Sequence, residues 1–215
     1  LHGSTQLSFE DTDGDGKADT LMVGDKYGSS VGVSPEGKRV HGTYTSIGDV
    51  HYAVADINGD GKAEVVTGSS TGDMAATPLG PGTAALWRFD NFGYSVHRLQ
   101  AVDLNADGKA EVLAASGTGR LYALDGDGRE LWHQAGGLCA NDLLLLPGDP
   151  VRIAYCDEAG FLRVCAGDGS VIAVLRTEAA RRLLAHATRG HVALFGVSPA
   201  RGSVSSSDLP FGRAS

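Results

Sequence analysis

A nine-residue acidic segment is written three times in this chain: DTDGDGKAD at 11–19, DINGDGKAE at 56–64 and DLNADGKAE at 103–111. The copies begin at residues 11, 56 and 103, so they recur at intervals of 45 and 47 residues. A period of that length is the size of one supersecondary unit, too small to bury its own apolar faces and stable only when stacked on neighbours. The chain must therefore fold as an array of similar units, each carrying the acidic segment at the same place.

The flanks of the segments identify the unit. QLSFE, HYAVA and HRLQAV precede them, and TLMVG, VVTGS and VLAAS follow. Short runs rich in β-branched, aromatic and aliphatic residues, bounded by acidic and glycine turns, predict strands. A second turn follows about 25 residues after each first aspartate, in SPEGKRV at 34–40, PLGPGTAALW at 78–87 and DGDGRELW at 125–132, which puts Trp87 and Trp132 in matching places. A copy without the acidic loop continues through 151–175, and another through RLLAHATRGHVALFGVSPARGSV, where EAARRLLAHA also has the composition of a short helix. The fold expected is all-β: a β-propeller of about five blade-like repeats at 5–48, 49–93, 94–137, 138–177 and 178–215, or an arc of a larger, seven-bladed propeller. Each repeat would be a meander of three or four strands, within a single domain.

The acidic segments have the chemistry of cation sites. Oxygen donors at loop positions 1, 3, 5 and 9, with a main-chain carbonyl at 7, suit a hard divalent ion such as Ca²⁺. The candidate ligands are Asp11, Asp13, Asp15 and Asp19; Asp56, Asn58, Asp60 and Glu64; and Asp103, Asn105, Asp107 and Glu111. Lys17, Lys62 and Lys109 would give only their carbonyls, their ammonium groups facing water. An EF-hand is excluded, because its position 12 glutamate is replaced by Met22, Thr67 and Ala114 and the flanks are not helical. About three Ca²⁺ sites are expected, with the ion in a structural role: the clustered carboxylates repel one another until a cation joins them.

On these residues the chain resembles the FG-GAP and VCBS-type repeats of integrin α-subunit propellers and bacterial extracellular proteins. Asn91-Phe92-Gly93-Tyr94-Ser95-Val96 is similar to the "FG" half, DLNADGKAE to the metal loop, and Ala114-Ala115-Ser116 stands where the family has Gly-Ala-Pro. Since the first two repeats lack a clear Phe-Gly, the bacterial VCBS-like kind is the better match. LYALDGDGRELW at 121–132 also resembles the blades of quinoprotein propellers. The resemblance implies calcium-binding blades in an extracellular or cell-surface protein, where weak calcium sites would be filled.

The remaining features narrow the function by exclusion. The formal net charge is −8, yet the three loops hold ten of the 26 acidic residues, so the rest of the chain is slightly basic and without a stripe. Nucleic acid and membrane insertion are not indicated, since there is no basic stripe and no run of about 18 apolar residues. The chain starts at Leu1 without a signal-like segment and ends in SSSDLPFGRAS, so it reads as a piece of a longer protein. Cys139, Cys156 and Cys165 are odd in number and are read as buried thiols; across the DEAGFLRV hairpin Cys156 should face Leu162 and Cys165 should face Ile153, unbridged. The seven histidines have no zinc spacing; His51 and His97 start inner strands of successive repeats and would line a central channel, a place where hydrogen-bonded polar residues are ordinary. Asp125 and Asp127 fit an Asp-Gly turn, and Trp87 and Trp132 fit packing between blades better than sugar stacking.

No catalytic constellation is legible. Two functions stand: a calcium-stabilised extracellular recognition or scaffold module for a protein or glycan partner, and the propeller of a carbohydrate-active enzyme such as a polysaccharide lyase. Fold alone does not separate them.

Overall fold

The computed structural model describes residues 3–44, 48–135, 140–146, 148–176, 182–188, 191–198 and 203–210. Strands of about six residues alternate with turns along all of it, in five antiparallel meanders. The first sheet contains β1 (Ser4–Glu10), β2 (Thr20–Asp25), β3 (Ser29–Val33) and β4 (Arg39–Tyr44). The second has β5 (Val50–Ala55), β6 (Glu64–Ser69), β7 (Asp73–Pro78) and β8 (Trp87–Asp90). The third has β9 (Val96–Val102), β10 (Glu111–Ser116), β11 (Arg120–Leu124) and β12 (Glu130–Ala135), and the fourth β13 (Ala140–Leu146), β14 (Arg152–Asp157), β15 (Phe161–Ala166) and β16 (Val171–Arg176). The last has β17 (Arg182–Thr188), β18 (His191–Ser198) and β19 (Ser203–Pro210).

The first strand of each sheet packs beside the first strand of the next, in the order β1, β5, β9, β13, β17. This is the arrangement of propeller blades around an axis, and it follows from the burial pattern. Central strands β6 and β10 are buried at every residue, whereas outer strands β12 and β16 alternate between half-buried and exposed. A strand buried on both sides needs a sheet on each face, which only neighbouring blades provide.

Among the described residues, four apolar clusters fill the spaces between blades. Met22 of the first sheet meets Tyr52 and Val65 of the second. Val66, Met74 and Ala76 meet Leu99, Val112 and Tyr122 of the third, and Leu113 and Leu121 meet Leu143, Ile153 and Tyr155 of the fourth. Ala154, Leu162 and Val164 meet Leu183 and Leu194 of the last. Successive residues of one strand thus serve opposite interfaces, as the twofold period requires. Deleting one such side chain, Leu143→Ala for instance, removes contacts worth about 2–5 kcal/mol from one interface.

The helix-like composition of EAARRLLAHA does not prevail. Its described part lies in the strand Arg182–Thr188, because Leu183 is buried against the fourth blade and its N–H donates to Asp142 (2.9 Å). Tertiary pairing overrides a weak local preference. Cys156 and Cys165 are buried and not bridged to each other, opposite Leu162 and Ile153 as the hairpin register demanded. Burial pushes their thiols up, to about 12 and about 11, so neither is a nucleophile at neutral pH. Cys139 lies outside the described residues.

Candidate metal centres

The three acidic segments are the connections from first to second strand: β1 to β2, β5 to β6 and β9 to β10. A meander places these connections on one rim of the array. Their conformations are held by one repeated set of hydrogen bonds. The position 1 carboxylate accepts two backbone N–H groups with its two oxygens: Asp11 from Gly14 (2.8 Å) and Gly16 (2.7 Å), Asp56 from Gly59 (2.6 Å) and Gly61 (2.8 Å), and Asp103 from Ala106 (2.7 Å) and Gly108 (2.8 Å). Position 3 accepts the N–H of position 5, at 3.1 Å for Asp13, 2.8 Å for Asn58 and 2.8 Å for Asn105. Position 5 accepts the N–H of position 7: Asp15 from Lys17 (2.8 Å), Asp60 from Lys62 (2.9 Å) and Asp107 from Lys109 (2.8 Å). These side-chain turns curl the backbone around a common centre and leave each carboxylate oxygen further accepting capacity.

Position 9 is fixed from position 2. Asp19 accepts the Thr12 N–H (3.1 Å) and hydroxyl (2.8 Å), Glu64 the Ile57 N–H (3.2 Å), and Glu111 the Leu104 N–H (2.7 Å). In the first loop Asp11, Asp13 and Asp15 bring their oxygens within 4.8 Å of one another. In the third, the Asn105 amide nitrogen bridges Asp107 (3.2 Å) and Glu111 (3.1 Å), occupying the centre of the donor set with a weak positive dipole.

The electrostatics of the loops differ from one position to the next. Gly108 above all, with Ala106, Asn105 and Asp107, holds the Asp103 carboxyl below the usual carboxylate range by donating to it. Glu64 and Glu111 are 2% and 4% exposed, and burial pushes both upward; the nearby charges of Asp60 and Asp56, or Asp107 and Asp103, push the same way. A buried carboxylate beside two aspartates is neutralised by taking up a proton or by a cation. A divalent ion fits the all-oxygen donor set of the first loop, where Asp11, Asp13 and Asp15 converge. The second and third loops have the same donor types in the same hydrogen-bonded turns with buried charge left over, though their carboxylates do not converge as closely.

Of the lysines, Lys17 is largely exposed and its ammonium pairs with Asp15 of its own loop (3.3 Å). The Lys109 side chain lies across Gly59 of the preceding loop, so closely that a Cβ on Gly59 would meet it at 2.9 Å. The Ala110 N–H also donates to the Asp56 carbonyl (2.9 Å), so the second and third loops are joined directly. The position 2 amides and this bridge are invisible in sequence, since any residue supplies an N–H.

Trp87 and Trp132 bridge blades: each indole N–H donates to a glycine carbonyl in the next sheet, Gly126 (2.9 Å) and Gly167 (3.0 Å). Asp125 accepts the Asp127 and Arg129 N–H groups, forming a turn and no cation site. His51 and His97 do face a common cavity, on the rim opposite the acidic loops, together with Asn141, Glu158 and Arg182, which the sequence reading passed over.

Comparison with known proteins agrees with this architecture. Residues 79–137 match the model of the λ-carrageenase β-propeller domain, and residues 53–87 match the FG-GAP repeat. The FG-GAP match thus falls on the second repeat and stops short of the Phe92-Gly93 pair. No protein of curated function matches the chain. Among solved structures, BamB from Moraxella catarrhalis is similar over 97% of this chain and 65% of its own, at 15% identity and a TM-score of 0.60. BBS1N, solved in complex with ARL6DN, is similar over 98% and 66%, at 13% identity and a TM-score of 0.70. Sqt1 of Chaetomium thermophilum, solved bound to the N-terminus of a ribosomal protein, is similar over 97% and 58%, at 11% identity and a TM-score of 0.73. The chain spans less than two thirds of the length of each, and at such identities the likeness is one of fold. The chain is an all-β, β-propeller repeat protein, one stretch of which, residues 53–87, is similar to an FG-GAP repeat.

Proposed function

We propose that this chain is a calcium-stabilised recognition or scaffold module of an extracellular or cell-surface protein, presenting a propeller surface to a protein or glycan partner. The observation that carries the calcium reading is the threefold repeat of one hydrogen-bonded donor geometry, closed in two copies by a nearly buried glutamate. Asp11, Asp13, Asp15 and Asp19 would hold one ion, Asp56, Asn58, Asp60 and Glu64 a second, and Asp103, Asn105, Asp107 and Glu111 a third, with the carbonyls of Lys17, Lys62 and Lys109. Bound there, the ion supplies charge neutralisation and cross-links the first two strands of a blade. The loop side chains already pair with the backbone, so the chain holds the donors in place and binding adds to folding stability.

The test is thermal unfolding of the purified chain with calcium, with magnesium and with a chelator, beside a count of bound metal. A calcium-specific rise in Tm with about three ions per chain is expected. No shift and no bound calcium would leave the loops as acidic turns.

A second reading, that the propeller belongs to a polysaccharide-acting enzyme, is favoured by the match of residues 79–137 to the λ-carrageenase propeller domain. Incubation with λ-carrageenan separates the two. The module reading expects no release of reducing ends by this chain alone, and release would replace it with the enzymatic one.

A further inference from the structure

The second and third acidic loops share a piece of chain. Ala110, position 8 of the third loop, donates its N–H to the carbonyl of Asp56, position 1 of the second (2.9 Å). Lys109, position 7, lays its stem across Gly59, where an added Cβ would stand 2.9 Å from Cε and 3.2 Å from Cγ. The same segment closes its own loop, because Asp107 accepts the Lys109 N–H (2.8 Å) and the Lys109 carbonyl is the candidate donor at position 7. Residues 109–110 therefore complete the third loop with their main chain and hold the second from outside.

On the second loop these contacts fall on two residues that set its shape. The Asp56 carboxylate accepts the Gly59 and Gly61 N–H groups (2.6 and 2.8 Å) while its carbonyl takes the bond from Ala110, so both ends of Asp56 are held. Gly59 is left-handed, with φ of 81°, and Lys109 packs on it. A shift of residues 109–110 as the third loop closes is felt at both.

The first and second loops lack this tie. A Cβ on Gly14 would meet nothing within 4 Å, and among the described residues no backbone hydrogen bond joins the two loops. A cavity of about 630 Å³ separates them, with Thr12 and Asp13 on one side and Asn58, Asp60, Lys62 and Glu64 on the other. The corresponding cavity between the second and third loops is about 280 Å³, and Lys109 lines it.

We infer that calcium binding at the second and third loops is positively coupled through residues 109–110, while the first loop fills on its own. The inference rests on the calcium reading of the proposed function and adds to it how the sites regulate one another. An ion that orders one loop leaves less freedom to be lost in the other, which favours the second event. Electrostatics alone would give the opposite sign, since an ion in one loop lowers the negative potential at its neighbour, and salt weakens that effect. The sign of the coupling thus separates a mechanical tie from a charge effect.

The test follows the amide resonances of Gly16, Gly61 and Gly108, one in each loop and each donating to its position 1 carboxylate. The chain is titrated with calcium at about 0.15 M salt. Gly61 and Gly108 should respond together on a curve steeper than that of a single site, and Gly16 on a one-site curve. Asp107→Ala, which removes a donor of the third loop, should weaken the Gly61 response roughly fivefold or more, and Asp60→Ala should weaken the Gly108 response by the same factor, because coupling is reciprocal. Asp15→Ala should leave both unchanged. Lys109→Ala should flatten the two steep curves, whereas Lys109→Met, which keeps the stem and removes only the charge, should not. All four substituted side chains are exposed, so each variant should fold. One-site curves for all three glycines, with no effect of one loop's variant on another loop, would overturn the coupling and leave three independent calcium sites. An effect of Asp15→Ala on Gly61 as large as that of Asp107→Ala would overturn it too, since the first loop has no tie to the second. No calcium response from any of the three glycines would overturn the calcium reading itself, and this inference with it.

Discussion

Trp87 donates its indole N–H to the carbonyl of Gly126, 2.9 Å away in the next blade. Its ring covers the same turn, so that a Cβ on Gly128 would stand 2.6 Å from it. One blade later Trp132 repeats the arrangement on Gly167 and Gly169, at 3.0 Å and 2.7 Å. The outer strands of the second and third blades are thereby pinned to the neighbouring turn by an indole hydrogen bond and a ring face, and in the third blade Gln134 Nε2 adds a hydrogen bond to the Gly169 carbonyl (2.5 Å). Trp132→Phe should keep the ring contact but orphan the Gly167 carbonyl, costing about 1–2 kcal/mol in denaturant unfolding. Gly128→Ala should cost more, about 3 kcal/mol, because φ there is +78° and the methyl meets the indole. An unchanged midpoint for Gly128→Ala would show that the turn moves freely under Trp87.

The third acidic loop contains a correctable strain. Position 4 is left-handed in all three copies, with φ of 79° at Gly14, 81° at Gly59 and 61° at Ala106. Only the third copy asks this of a residue with a Cβ, which costs roughly 1 kcal/mol. Ala106→Gly should raise stability by up to about 1 kcal/mol, less the extra entropy of the unfolded glycine. The same change should sharpen the third site, read as a higher calcium affinity by calorimetry.

The acidic loops, the strands around them and the propeller architecture were legible because each rests on a local pattern repeated with a fixed period. The Trp87 and Trp132 contacts were legible for the same reason: matching positions in successive repeats imply matching neighbours. The His51 Nδ1, without a hydrogen-bond partner among the described residues, and the β-bulges that make His97 and Asn141 the extra residues of β9 and β13 were not, because a bulge is a one-residue difference in pairing that leaves composition unchanged. Arg182 was hidden for a different reason. Its segment has a helical composition, and only the blade beside it makes Arg182–Thr188 a strand. The hydrogen bonds from Thr12, Ile57 and Leu104 to position 9 involve main-chain N–H groups, which carry no residue signature at all.

The fourth blade, which has no acidic loop between β13 and β14, carries a buried ion pair at its other rim, across the β14–β15 turn. Asp157 is fully buried, accepts the Phe161 N–H (3.0 Å), and pairs with Arg163, whose guanidinium also lies over Phe161, 5.0 Å from the ring centroid. Removing one partner leaves the other charge stranded in a low-dielectric interior. Asp157→Ala should cost about 3–5 kcal/mol in urea unfolding, and Arg163→Met distinctly less, since the carboxylate keeps its backbone donor. Equal and small losses would show that water reaches the pair.

Acid should destabilise the chain before the ordinary carboxylates titrate. Burial, with the Arg39 guanidinium, depresses His41 to about 4, and burial with Arg98 and Arg182 does the same to His51. The Gly80 N–H donates to the His41 Nδ1 (3.3 Å), so protonation there would break a bond. Unfolded, both rings would titrate near 6.5, so the unfolded chain binds more protons between about pH 6.5 and 4. Stability is therefore complete above pH 6.5 and falls as pH drops through that window, by on the order of 3 kcal/mol per histidine at its lower end. The slope between pH 6.5 and 5, measured by urea unfolding, should drop by about one proton in His41→Gln. A slope unchanged by that substitution would place the acid sensitivity elsewhere.

Glu64 offers a test in which the sign itself is diagnostic. Without a cation it is a carboxylate 2% exposed, pushed upward by burial and by Asp60 and Asp56, and stabilised chiefly by the Ile57 N–H. Glutamine has the same length and can keep that bond through its carbonyl oxygen while carrying no charge. In the presence of a chelator, Glu64→Gln should raise stability by about 1 kcal/mol, because a buried, repelled charge is gone. With calcium the same substitution should lower stability by at least about 1 kcal/mol, because one charged donor of the second loop is lost and binding no longer adds as much to folding. Thermal unfolding of parent and variant in both media reads the two signs directly. A substitution that destabilises equally with and without calcium would mean Glu64 serves packing alone, and the second loop would lose its place among the metal centres.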